Sequence, residues 1–241
     1  QIPASGITEE DRSMIKGEAL FLRGYQYFLL VNNYKEVPLR LIPSNEDETN
    51  KGPASEAALW TQVEEDLGNA IKCNLPVERT TAKERVTKGA AIAMLGKVYA
   101  TQHKYPEAKQ LLVSLLSAPY SYELVDDFAK NFTNEEEFNK ESVYEIAYSP
   151  DGEYSWSNES GICLGCYIPQ FIGPVKSGGW AKLMPNSFIV GEFTKETRPN
   201  GADTNFDKRI YASLFFDPAN YGDKVANEKW YGNNYSMDEL W

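Results

Sequence analysis

The chain has 241 residues, 42% of them hydrophobic, which is enough to bury a sizeable core in one large domain or two smaller ones and excludes a disordered chain. Its 35 acidic residues outnumber 24 basic ones for a formal charge of −11, which argues against a nucleic-acid surface. No run approaches the roughly 18 apolar residues of a membrane-spanning helix, and the richest cluster, Phe28 to Val31, is broken at once by Asn32 and Asn33.

The opening Gln1 to Gly6 reads as a linker and shows no leader pattern. From Asp11 to Tyr34 the apolar residues Met14, Phe21, Tyr25 and Phe28, with Ile15, Ala19, Leu22 and Leu29, recur at steps of three and four and predict a long helix. Val37 to Pro53 holds three prolines and the acidic run Glu46 to Glu48 without any period, so a long loop is expected. Its carboxylates lack the order of an EF-hand, and a solvated loop is the reading rather than a calcium site. Ser55 or Pro53 opens the next helix, with Leu59, Val63, Leu67, Ala70 and Ile71 on one face before Leu75 and Pro76 end it. Thr87 caps the helix that follows, and Pro106 falls in the first turn of a fourth, where its missing N–H costs nothing.

The stretch from Ile92 to Pro119 matches the tetratricopeptide helix–turn–helix template. Leu95-Gly96, Tyr99, Ala108, Leu112 and Pro119 stand at its marked positions, with Ile92 in place of the usual tryptophan. Gly96 and Ala108 are small where two antiparallel helices must cross, and Tyr99 is expected to fill the groove between them. Gly24 and Tyr27 repeat the Gly-x2-Tyr spacing of Gly96 and Tyr99, which points to an earlier repeat. One such unit cannot bury its apolar face alone, so four helices in two pairs are expected.

After Pro119 the period changes. Glu141 to Tyr148 alternates Tyr144, Ile146 and Tyr148 against Val143, Glu145 and Ala147, as a strand would. Residues 150–241 hold 10 of the 17 glycines, four of the five tryptophans and 16 of the 31 aromatic residues, with no helical period except around Asn186 to Phe193. The expected architecture is therefore mostly α: a tetratricopeptide-like helical core over 1–149 ending in a short strand, and an irregular aromatic and glycine-rich region over 150–241 packed on it, with few short strands.

Three cysteines give Cys73 alone and one C-x-x-C at Cys163 and Cys166, with no second pair of zinc ligands and no βαβ pattern around them. Ordinary thiols or an incidental disulfide are the default, with no metal and no cofactor. His103, the single histidine, falls in a turn between helices, which argues against a Ser-His or Cys-His catalytic scheme, and no spacing nominates a carboxylate pair, so no enzyme is expected.

Several blocks in order resemble the SusD/RagB family of outer-membrane nutrient-binding lipoproteins. They are Lys16 to Phe28, like the family's E-A-x-F-L-R-A helix, and Asn33 to Leu39, like its Y-G-x-V-P-L. Then come Val63 to Leu67 with Ala70, Leu75 and Pro76, and Arg85 to Ala91 with its tetratricopeptide continuation. Glu141 to Ile146 and Asp207-Lys-Arg209 complete the series, over about residues 12 to 210. The family's proteins are longer and carry a lipidated N-terminal cysteine that this sequence does not show near Gln1, so membrane anchoring at the cell surface is implied for the parent protein only.

The resemblance implies a protein that binds an oligosaccharide and passes it to a TonB-dependent outer-membrane transporter of the SusC type. Sugar rings present an apolar C–H face rimmed by hydroxyls, so a site needs exposed flat aromatics with amides and charges beside them. Trp156 with Tyr154 and Asn158, and Trp180 with its Gly178-Gly179 approach, fall where the family often places ligand loops. Against this stands a reading of the same tryptophans as core anchors. Trp230, Tyr231 and Tyr235 are later alternatives. A peptide-binding protein of the RagB branch and a tetratricopeptide scaffold without small ligand are the competing functions.

Overall fold

A computed structural model describes residues 6–43, 49–148, 168–175, 178–195, 206–214 and 216. The chain divides into two compact units, one made of Gln1–Val125 and Phe138–Ile146, the other of Asp126–Glu137 and Ala147–Trp241.

Among the described residues, the first unit holds four helices: α1 (Glu9–Tyr34), α2 (Glu56–Lys72), α3 (Lys88–Thr101) and α4 (Tyr105–Ser114). Their starts follow local chemistry. The hydroxyls of Thr8, Ser55 and Thr87 each accept a bond from the backbone N–H three residues on, satisfying a donor that the helix itself leaves unpaired. Glu9, Glu10 and Asp11 add negative charge where the α1 dipole favours it. Pro106 stands in the first turn of α4, which has no side-chain cap.

Each helix packs on the next in antiparallel sequence, and small residues mark the crossings. A Cβ on Gly24 of α1 would lie 3.0 Å from Leu67 Cγ of α2, and one on Gly96 of α3 would lie 2.7 Å from Leu112 Cδ2 of α4. Both are closer than side chains normally pack, so each glycine sets how near the helices come. Ala108 is buried as the template requires, and Tyr99 packs half-buried against the core with the Lys104 ammonium 5.5 Å from its ring centre. Phe21, Val31, Leu59, Val63, Leu67, Ala70, Ala91 and Val98 form the sealed centre.

The loop between α1 and α2 is closed at its neck. Ala54 donates to the Val37 carbonyl at 2.9 Å, the isolated bridge of this region. Tyr27 Oη accepts from Arg40 N at 2.6 Å, holding the departing chain against α1.

The strand expected over Glu141 to Tyr148 does not form among the described residues. Tyr144 turns inward onto Phe21, ring centres 5.0 Å apart and edge to face, but Ile146 and Tyr148 on the same face are 56% and 51% exposed. Ladder partners are replaced by side chains: Glu141 accepts from Val125 N at 3.1 Å, and Glu145 from Phe138 N at 2.9 Å. The segment is extended and anchored without joining a sheet.

The described parts of the second unit are short elements. They include 3-10 turns at Phe128–Phe132 and Asn134–Glu136 and the helices α5 (Ile168–Ile172), α6 (Ser187–Glu192) and α7 (Arg209–Ser213), none longer than 6 residues. Asn186 caps α6, where the sequence placed a helical stretch. Val190, Phe206, Ile210, Tyr211 and Phe216 make a small separate core, with the Phe206 and Phe216 rings edge to face at 5.2 Å.

Candidate functional site

Of the residues singled out for ligand contact, Tyr154, Trp156 and Asn158 lie outside the described residues, as do Trp230, Tyr231, Tyr235 and the pair Cys163 and Cys166. Gly179 and Trp180 are described, and they belong to a tight hairpin. α5 ends at Ile172, the chain reverses, and the return segment donates its N–H groups one after another to carbonyls at the end of α5 and just beyond. Trp180 N donates to Gln170 O at 2.8 Å, Lys182 N to Phe171 O at 3.0 Å and Ala181 N to Gly173 O at 3.0 Å. Carbonyls at a helix end have no partner of their own, so the return strand satisfies them and is fixed by them.

Two glycines make the reversal for different reasons. Gly178 has φ +88°, the left-handed region where side chains are strained. At Gly179 an added Cβ would fall 2.1 Å from the Gly173 carbonyl oxygen, which is backbone and cannot move aside. The consequence is a defined position for the next side chain: the Trp180 indole is half-buried, edge to face with Phe171 at 6.3 Å between ring centres. Phe171, Ile172 and Val175 are exposed around it, and Lys182 adds an exposed side chain two positions on. An indole packed against one ring on a bonded hairpin can meet a flat apolar surface with little loss of side-chain freedom on binding.

Phe171 was not among the residues nominated from sequence. Nothing in a nine-residue separation across a glycine turn states that two rings meet; the reversal at Gly178 is the only signal, and it does not fix the partner.

The Asp207-Lys-Arg209 block is a clasp. Buried Asp207 accepts from Arg209 N at 2.9 Å with one oxygen and from Arg209 Nε at 2.9 Å and a second guanidinium nitrogen with the other, at the start of α7. The fork neutralises the carboxylate locally. Beside it, Phe128, Ile189 and Phe193 line a largely apolar cavity of about 360 Å3.

His103 sits in the turn between α3 and α4 with Nδ1 2.7 Å from Tyr105 Oη. Cys73 is a buried free thiol. Among the described residues no cluster of His, Cys, Asp or Glu could hold a metal ion, and no helix is long and apolar enough to cross a membrane.

Comparison with known proteins gives two family matches. A SusD-like family described as starch-binding, associating with outer membrane, matches residues 2–100, and the SusD family matches residues 140–240. No curated protein matches. Among solved structures, a SusD superfamily protein from Bacteroides vulgatus is 34% identical with a TM-score of 0.70, over 85% of this chain and 41% of its own. A laminarin-binding SusD-like protein is 33% identical with a TM-score of 0.68, over 72% of this chain and 39% of its own. Surface glycan-binding protein A from Bacteroides fluxus is 26% identical with a TM-score of 0.61, over 71% of this chain and 36% of its own. The chain thus spans about two fifths of the length of the first two of these structures. With paired helices in the expected order and both family matches laid along it, the chain belongs to the SusD/RagB family.

Proposed function

We propose that this chain is part of a glycan-binding protein of an outer-membrane uptake system, which captures an oligosaccharide at the cell surface and hands it to a SusC-like TonB-dependent transporter. The observation that carries the reading is the half-buried Trp180, fixed on a glycine hairpin in a chain whose 33% identical relative binds laminarin. Gly179 allows the close backbone approach, Trp180 supplies the stacking face, and Tyr154, Trp156 and Asn158 are proposed to complete the site with a second ring and an amide for the sugar hydroxyls. The tetratricopeptide pairs suit the transporter-facing side, because packed helices present an extended rigid surface. A lipid anchor in the full-length protein accounts for surface location. The apolar surroundings of Trp180, Phe171, Ile172 and Val175 also suit apolar peptide side chains, which keeps a RagB-like peptide ligand as the second reading.

Binding rather than catalysis is the proposed role, so oligosaccharide should be recovered uncleaved after incubation. Tryptophan fluorescence titrated with laminari- and malto-oligosaccharides and with a peptide panel tests the ligand class. With a sugar that responds, Trp180→Ala and Trp156→Ala should each weaken binding by about 1–3 kcal/mol, by analogy with aromatic stacking on flat rings. Full affinity in both variants overturns the site, and a response to peptides alone overturns the glycan.

A further inference from the structure

The first unit contains a cleft that the Trp180 site does not use. Its volume is about 240 Å3, and it opens between the 77–87 connection, the turn after Pro119 and the extended segment 138–145. Tyr120 and Tyr122 form one wall. They alternate on an extended stretch, so their rings lie on one side, 6.1 Å apart and within 12° of parallel. Tyr122 reaches in because Gly89, in the first turn of α3, has no side chain: a Cβ there would lie 2.2 Å from the Tyr122 hydroxyl. Tyr144, braced by Phe21, and Phe138 form the other side.

The walls are tied to each other. Glu123 N donates to Lys140 O at 3.0 Å, Lys140 Nζ to Glu123 at 3.0 Å and Val125 N to Glu141 at 3.1 Å. Arg79 is locked to Glu18 and to the Val86 carbonyl, which fixes the third wall. The cleft is therefore formed before any ligand arrives.

What it lacks is internal satisfaction. Among the described residues, the hydroxyls of Tyr120, Tyr122 and Tyr144 find no hydrogen-bond partner in the protein, and neither does the Lys83 ammonium at the rim. The three tyrosines are half-buried, and burial pushes the Tyr120 and Tyr144 phenols up. Ser121, Ser142 and Glu78 add further polar groups. Parallel aromatic faces ringed by unused hydroxyls and both signs of charge complement a neutral ring that is apolar on its face and hydroxylated at its edge.

We propose that this cleft is a second saccharide site, sized for one pyranose unit and recognising it by stacking on Tyr120 and Tyr122 and by hydrogen bonds from the tyrosine hydroxyls and Lys83. It rests on the glycan reading only for the choice of sugar as ligand, and it is independent of the Trp180 hairpin.

The test is amide chemical-shift mapping of the full chain with laminarihexaose, maltohexaose and methyl β-glucoside. Sugar should move the amides of Ser121, Tyr122, Asn139 and Ser142, in the wild type and in Trp180→Ala alike. Tyr120→Ala should weaken that response about tenfold, as loss of one stacking ring does elsewhere. Tyr120→Phe, which keeps the packing and removes only the donor, should weaken it several-fold, so the proposal stays testable if the alanine variant folds poorly. Shifts confined to the Trp180 hairpin overturn the cleft and leave the first site standing. Shifts confined to the cleft support the cleft and overturn the first site. Unmoved cleft amides with every sugar, or a cleft response unchanged in both Tyr120 variants, also overturn the proposal.

Discussion

Arg23 reaches from α1 to Asp66 of α2 with two bonds, Nε to one carboxylate oxygen at 2.7 Å and a terminal nitrogen to the other at 2.6 Å. Gln62 donates to the same carboxylate at 2.9 Å, and Arg23 also meets the Leu41 carbonyl at 3.3 Å. The two partners stand in different surroundings. Asp66 is 1% exposed, whereas the Arg23 side chain keeps 33% of its surface in water, and the hydrogen bond to Asp66 raises the guanidinium pKa. Removal is therefore asymmetric. Arg23→Ala strands a buried carboxylate with only Gln62 to hold it and should cost about 3–5 kcal/mol. Asp66→Ala leaves a cation that water can reach and should cost about 1–3 kcal/mol. Urea denaturation of the two variants checks the order, and equal losses would show that Asp66 is not stranded when Arg23 is removed.

For the helices, the caps are the separable contribution. Thr87 Oγ1 accepts from Ala90 N at 3.1 Å, so Thr87→Ala should destabilise by about 1 kcal/mol. Ser55→Ala should cost less, because its bond to Ala58 N is longer at 3.3 Å. Thermal midpoints of the pair measure both. The α3–α4 pair could be read from the sequence because period, cap and small crossing residue agree there: Thr87, Gly96 and Leu112 each state part of the same geometry. The 141–148 segment could not, since alternation says which side chains share a face and nothing about a neighbouring strand. Of Tyr144, Ile146 and Tyr148, Tyr144 alone is half-buried against a ring among the described residues, that of Phe21. The same limit governs the sites. Gly178-Gly179-Trp180 announces a turn bearing an indole, but Phe171 beside it, and Tyr144 opposite Tyr120 and Tyr122, are brought together by tertiary packing that no local pattern encodes. Trp156 and its neighbours lie outside the described residues.

Over the whole chain, alkaline pH is the condition to which the helical unit is poorly matched. Burial raises the pKa of Tyr99, Tyr120 and Tyr144 above the ordinary value of 10.0. The folded form thus keeps phenolic protons that the unfolded chain gives up. Their stabilising contribution is full below pH 10.0, shrinks as the unfolded tyrosines ionise, and is gone once pH passes the raised folded values. Unfolding followed by tyrosinate absorbance should begin above that pH, and Tyr144→Phe should lessen the sensitivity; an unchanged alkaline midpoint would dissociate Tyr144 from it. At the other end of this unit, the Val37–Ala54 bridge and the Tyr27–Arg40 clamp hold the neck of the α1–α2 connection. An insertion beside Gly52, which is exposed with open space around it, lengthens a connection already tied at its neck, at about 0.6 kcal/mol for each doubling of its length. That makes this stretch a splice point, where an epitope or a dye-acceptor peptide can be grafted and the protein watched on living cells.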